Sequence, residues 1–189
     1  MDRVLVVHQK DIQRKGGVCA EYPVSCLIRD ILRRAGLLKP FKQLKVLDLT
    51  YGEGRFWVAL PQAVVIGFDI RRLEWRRKPA RFFLESCENW RTRVPNEEFD
   101  LIVADPPFSP YKRGWEKRGH YTDNGNIALI LNEARKASEH FCAPMLIHFM
   151  WKVVPPEFEI VDEAWFQGWS RLSKMPRPTW FGLLKPQVR

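Results

Sequence analysis

A chain of 189 residues with 46% hydrophobic content can bury one good core, so a single domain over 1–189 is the expectation, with residues 1–38 as an extension packed on it. Lys and Arg number 31 against 22 acids, giving +9 and a pI near 9.6, which points to a polyanionic partner. No apolar run approaches the ~20 residues of a membrane span and the start, MDRVLVVHQKD, lacks a signal-peptide pattern; a soluble, cytoplasmic protein with no membrane partner is expected.

In chain order, Arg3–His8 has the β-branched run of a short strand. Gln9–Gly17 reads as a polar, basic loop. The following segment carries Leu27, Ile28, Ile31, Leu32 and Ala35 at helical spacing, with Arg29, Arg33 and Arg34 on the other face. Ser25 is the candidate N-cap and Gly36 the candidate C-cap. Tyr22-Pro23 precedes this helix in an extended segment.

Leu44–Thr50 is the first central strand and ends in D-x-x-x-G-x-G: Asp48, Thr50, Tyr51, Gly52, Gly54. Glycines here permit positive φ and close approach of backbone to a ligand. Only a brief helix fits between Phe56 and Pro61, and its amino end favours polar or anionic groups. Ala63–Ile70 is the second strand. It delivers Asp69 about 20 residues after Asp48, where nucleoside-binding sheets place the acid that accepts from a ribose hydroxyl. Arg71 to Lys78 is a dense basic patch that would form one charged face if helical.

Ala80–Leu84 reads as a third strand, followed by Glu85-Ser86-Cys87. Phe99–Ala104 is the fourth. It ends on Asp105, Pro106, Pro107 and Phe108, which place an acid, free carbonyls and a ring where open α/β sheets bind ligands. That set suits a planar group bearing an NH₂. Phe108–Gly125 is a long loop rich in glycine, aromatic and basic residues, with Tyr111, Lys112, Arg113 and Trp115 as candidate substrate contacts. Asn126–Phe141 is a helix presenting Ile127, Leu131, Ala134 and Ala137 or Ser138. Met145–Trp151 is a fifth strand. Phe158–Phe166 and Thr179–Leu184 follow with no crossover helix between them, so they should pair antiparallel. The whole is an α/β sheet, mostly parallel, with an antiparallel C-terminal hairpin.

Cys19, Cys26, Cys87 and Cys142 are scattered without a C-x-x-C pair, and His8, His120, His140 and His148 show no ligand spacing. Neither a metal site nor a disulfide framework is expected. Of the eight tryptophans, Trp75, Trp90, Trp115 and Trp151 sit beside basic residues, an interleaving that suits nucleic acid.

Together these parts resemble class I S-adenosylmethionine-dependent methyltransferases, a Rossmann-like fold, and among them the enzymes that modify exocyclic amines of nucleobases. The resemblance runs from Tyr22 to the C-terminus. It implies S-adenosylmethionine as cofactor, contacted by Tyr22, Pro23, Asp48, Thr50, Tyr51, Gly52, Gly54, Asp69 and Ile70. Asp105-Pro106-Pro107-Phe108 resembles the (D/N/S)-P-P-(Y/F) signature and so implies the catalytic residues. The acid that usually contacts the cofactor adenine after the third strand is replaced by Ser86, beside Cys87, with Glu88 near. The implied substrate is adenine N6 or cytosine N4. No separate target-recognition domain is expected beside the single domain, which favours structured RNA, ribosomal RNA foremost, over DNA. The alternatives are a DNA amino-methyltransferase, a non-catalytic RNA-binding module on the same fold and, less favoured because Asp105 replaces an asparagine, a protein glutamine methyltransferase. A nicotinamide dehydrogenase would place a glycine where Trp57 stands.

Overall fold

A computed structural model describes residues 5–106, 124–168 and 178–187. Its centre is a run of strands with almost no polar side chain on either face: β2 (Leu44–Asp48), β3 (Ala63–Asp69), β5 (Leu101–Ala104) and β6 (Met145–Phe149). Strands apolar on both faces are stable only when covered twice. They are: β1 (Val6–His8), α1 (Gln9–Gln13), α2 (Val18–Glu21) and α3 (Pro23–Arg34) come first in the chain, and these helices cover one face. α4 (Trp90–Arg93) and α5 (Asn124–Phe141) cover the other. Neighbouring residues split between the two layers. Val46 and Val103 pack toward α3, whereas Leu47 and Ile102 pack toward α5.

With β4 (Arg81–Leu84), β7 (Phe158–Gln167) and β8 (Thr179–Pro186), the eight strands form one sheet in the order β1-β7-β8-β6-β5-β2-β3-β4. β8 is antiparallel to both β6 and β7, and every other pairing is parallel. The expected mostly parallel sheet with an antiparallel hairpin is therefore found, and its last strand lies inside the sheet, not at the edge. Chain order reverses between β2 and β5, so the carboxyl ends of those two strands flank a crevice.

Several local expectations are corrected. Gln9–Gln13 is helical, because Ile12 can bury against α3. Ser25 is not a cap: α3 begins at Pro23, the N1 position that suits proline, and Ser25 is buried. Its hydroxyl donates to the Phe56 carbonyl at 2.7 Å and accepts from the Ala59 N–H at 2.8 Å, which ties α3 to the turn after β2. The helix closes at Gly36 as expected, with the Gly36 N–H on Arg33 and the Leu37 N–H on Leu32. α5 buries Ile130 and Glu133 as well as Ala134, Ala137 and Ser138; Glu133 is admitted because the Trp90 indole N–H, at 3.0 Å, and Lys136 satisfy its carboxylate.

The expectation of no disulfide is overturned. Cys19 and Cys26 are bonded, because the bend between α2 and α3 brings their Cα atoms to 5.6 Å. Spacing alone does not reveal a bridge across two helices. The basic patch Arg71–Lys78 is irregular, not helical, and part of it is turned inward. The Arg77 guanidinium donates to the carbonyls of Trp57, Leu60, Pro61 and Ala63 and so holds the 57–63 loop shut. Trp90 is core, Trp75 packs on Phe82, and Trp151 is exposed. Trp115 lies outside the described residues.

Candidate active site

The carboxyl ends of β5, β2, β3 and β4 lie in a row, and each delivers a polar residue: Asp105, Asp48, Asp69 and Ser86. The turn after β2 is rigid for identifiable reasons. Asp48 is buried, accepting from the Thr50 N–H at 3.0 Å and the Trp57 indole N–H at 2.8 Å. Burial pushes its carboxyl up to about 7 despite those two bonds, with Asp105 and Asp69 adding to the rise. Tyr51 is spent on packing: its ring fills the space beside Gly67, and its hydroxyl donates to the Arg77 carbonyl. Gly54, at φ +72°, has no room for a Cβ, which would meet the Arg77 carbonyl at 2.5 Å and the Tyr51 hydroxyl at 2.6 Å. Gly52, at φ +57°, differs. A Cβ there would meet nothing nearer than the Thr50 carbonyl at 3.8 Å, so its backbone faces open space.

Gly52 is joined to the next strand end, where its N–H donates to Asp69 at 3.0 Å. Asp69 is also buried, and among the described residues its other hydrogen bonds come from Arg71. The Arg71 N–H and Nε donate to Oδ1 at 2.9 and 3.1 Å, and Nη2 donates to Oδ2 at 3.2 Å. Ile70 is exposed beside it. Ser86 is half-buried. Cys87 next to it is a core residue whose thiol burial pushes up to about 12. Tyr22 stands near the glycine turn: Glu21 raises its hydroxyl, and Arg76 and Arg55, both paired with Glu53 of the turn, pull it the other way.

Asp105 is locked to the glycine turn through its backbone, whose N–H donates to the Thr50 hydroxyl at 2.7 Å. Its carboxylate is one-third exposed and reaches across to β6, where Oδ1 meets His148 Nδ1 at 2.9 Å. His148 Nε2 in turn meets the Thr179 hydroxyl of β8 at 2.9 Å. The imidazole stacks on Phe181, with centroids 3.9 Å apart and planes 11° apart, and Phe56 lies tilted at 5.7 Å. Sequence reasoning passed over His148, which is lost in the apolar run MLIHFMW. The signal was register: Ala104 pairs with Ile147, so the next residues, Asp105 and His148, stand level at the strand ends.

The structure thus brings together Thr50, Gly52, Asp69, Asp105 and the Tyr22 segment, and commits the side chains of Asp48, Tyr51 and Cys87 to the interior. Pro106 is buried. Pro107, Phe108, Tyr111, Lys112 and Arg113 lie, like Trp115, outside the described residues.

Comparison with known proteins bears on this geometry. No family model matches the chain. A putative class I S-adenosylmethionine-dependent methyltransferase from Listeria monocytogenes superimposes with a TM-score of 0.53 at 12% identity, over 87% of this chain and 59% of that one. The N-methyltransferase NodS from Bradyrhizobium japonicum gives 0.51 at 11% identity, over 86% and 95%. The METTL16 methyltransferase domain gives 0.53 at 9% identity, over 86% and 83%. The fold is that of the class I methyltransferases. In sequence, the release factor glutamine methyltransferase of Salmonella typhimurium is 25% identical over 156 residues, covering 76% of this chain and 53% of that protein. The chain therefore spans about half the length of that curated relative.

Proposed function

We propose that the chain is an S-adenosylmethionine-dependent methyltransferase acting on the exocyclic amine of adenine or cytosine in structured RNA, with ribosomal RNA as the leading candidate. The observation that carries this reading is the placement of Asp105. A partly exposed carboxylate stands at the end of β5, one hydrogen bond from the glycine turn, at the reversal of strand order.

The residues present fit the cofactor. The open face of Gly52 leaves room for a ligand to lie against backbone, and the acid row supplies acceptors for hydroxyl and ammonium groups. Asp69 would take the ribose hydroxyls, which requires them to replace the Arg71 guanidinium on its oxygens. Ser86 and the backbone beside it are left to meet the adenine. When bound, S-adenosylmethionine supplies an electrophilic sulfonium methyl group. The chain's own residues then make a poor nucleophile competent. Asp105 and the Pro106 carbonyl each accept one N–H of the amine, which fixes the nitrogen and turns its lone pair out of the ring plane. The Asp105 carboxylate holds the proton that the nitrogen sheds. Orientation and hydrogen bonding carry the catalysis. Phe108 is assigned the face of the extruded base, a stacking contact worth ~1–3 kcal/mol, and Tyr111, Lys112, Arg113 and Trp115 the flanking nucleotides. The net charge of +9 supports a phosphate-bearing substrate.

The test is Asp105→Ala. Calorimetry should show S-adenosylmethionine binding retained, and mass spectrometry of nucleosides should show methyl transfer to RNA abolished. Near-normal turnover would sink the assignment. A second reading, a protein glutamine methyltransferase, is favoured by the sequence match to the release factor enzyme. A side-chain amide offers the same pair of N–H groups. Radiolabelled cofactor offered to RNA and to release factor in parallel separates the two.

A further inference from the structure

We infer that His148 is the positioning residue of the methyl-transfer centre: it fixes the Asp105 carboxylate so that one oxygen is held and the other faces the substrate amine. This rests on the function proposed above and adds a residue to it. The geometry is a three-residue chain across three strands, Asp105 after β5, His148 in β6 and Thr179 in β8, with both links at 2.9 Å. An ionised carboxylate only accepts, so Nδ1 must carry the proton and donate to Oδ1. Nε2 is then the acceptor for the Thr179 hydroxyl. The imidazole cannot rotate away, since it lies flat on Phe181 with Phe56 against it. Its side chain is about nine-tenths buried, whereas that of Asp105 is one-third exposed, so the rigid partner is the histidine and the exposed oxygen belongs to the acid.

The consequence for the reaction is directional. Oδ1 has a donor at a fixed place, while among the described residues Oδ2 has none. A carboxylate anchored at one oxygen presents the other along one line, and alignment is what an amine with a delocalised lone pair lacks. A bond to Nδ1–H also fixes which lone pairs of Asp105 remain for the substrate. Without it the carboxylate can turn about its Cα–Cβ and Cβ–Cγ bonds and sample orientations that do not meet the amine.

Two substitutions separate positioning from packing. His148→Phe keeps the flat ring on Phe181 and removes the donor. His148→Asn keeps an N–H donor near the Nδ1 position and removes the ring. Positioning predicts that His148→Phe loses at least tenfold in kcat with S-adenosylmethionine affinity within twofold of wild type, and that His148→Asn recovers most of that loss. A packing role predicts the reverse order, and that order overturns the proposal. Nitrogen-15 spectra of the imidazole in the ligand-free protein give a readout independent of turnover. A protonated Nδ1 supports the assignment, and an unprotonated Nδ1 overturns it whatever the kinetics. Should wild type transfer no methyl group to RNA while Nδ1 is protonated, the proposed substrate fails but the His148–Asp105 geometry stands.

Discussion

Replacing Asp48 by asparagine is a direct probe of how the glycine turn is held. The carboxyl is buried, and its ordinary value of 3.8 is raised to about 7. A raised acid means that between about pH 4 and pH 7 the folded protein keeps a proton that the unfolded chain has released. Stability must therefore fall as pH rises through that window, and the term is flat above and below it. About three pH units at 1.36 kcal/mol each give roughly 4 kcal/mol. Asparagine does not titrate. It can accept from only one of the Thr50 and Trp57 donors, a cost of about 1–3 kcal/mol that does not depend on pH. Urea denaturation of both proteins at pH 4, 6 and 8 should show the variant gaining on wild type by roughly 4 kcal/mol from the lowest pH to the highest. A gap of constant size would mean that Asp48 is ionised throughout, and the account of its burial would be wrong.

Gly54→Ala should lose about 3 kcal/mol in the same assay, combining left-handed strain with the approach to the Arg77 carbonyl; an unchanged midpoint would refute the turn geometry. Arg71→Ala should bind S-adenosylmethionine about fivefold tighter by calorimetry, roughly 1 kcal/mol, because Asp69 no longer has to give up a guanidinium; weaker binding would make Arg71 a cofactor contact instead. Alkylation of the unfolded, unreduced protein should modify Cys87 and Cys142 alone, and reduction should expose all four cysteines and cost about 2 kcal/mol of stability. In the folded protein Cys142, which is exposed, should react while buried Cys87 does not.

What the sequence made legible was whatever lies along one strand and its following turn. Asp48 with Gly52 and Gly54, then Asp69, then Asp105 could each be placed at a strand's carboxyl end because apolar runs stop there. Contacts between distant segments were not legible. His148 is 43 residues from Asp105, and Thr179 is 31 further on; only the insertion of β8 beside β6 lines them up. Arg71 and Arg77 looked like surface charge because composition does not reveal that carbonyls and a carboxylate wait beneath them. Cys19 and Cys26 looked unpaired because the bend between two short helices is not written in their spacing.

The strand order carries a consequence for how the molecule assembles. Among the described strands, β1 touches the sheet only through β7, and β7 reaches β6 only through β8. β1 is therefore joined to the central strands through β7 and β8. Without residues 179–186 beside it, β6 offers an open border, apolar but for His148, to any other extended chain. Thr179 sits on that same closing strand, so the segment that seals the border also completes the Asp105–His148–Thr179 chain. The pairing of β8 with β6 thus both covers that border and brings Thr179 to His148.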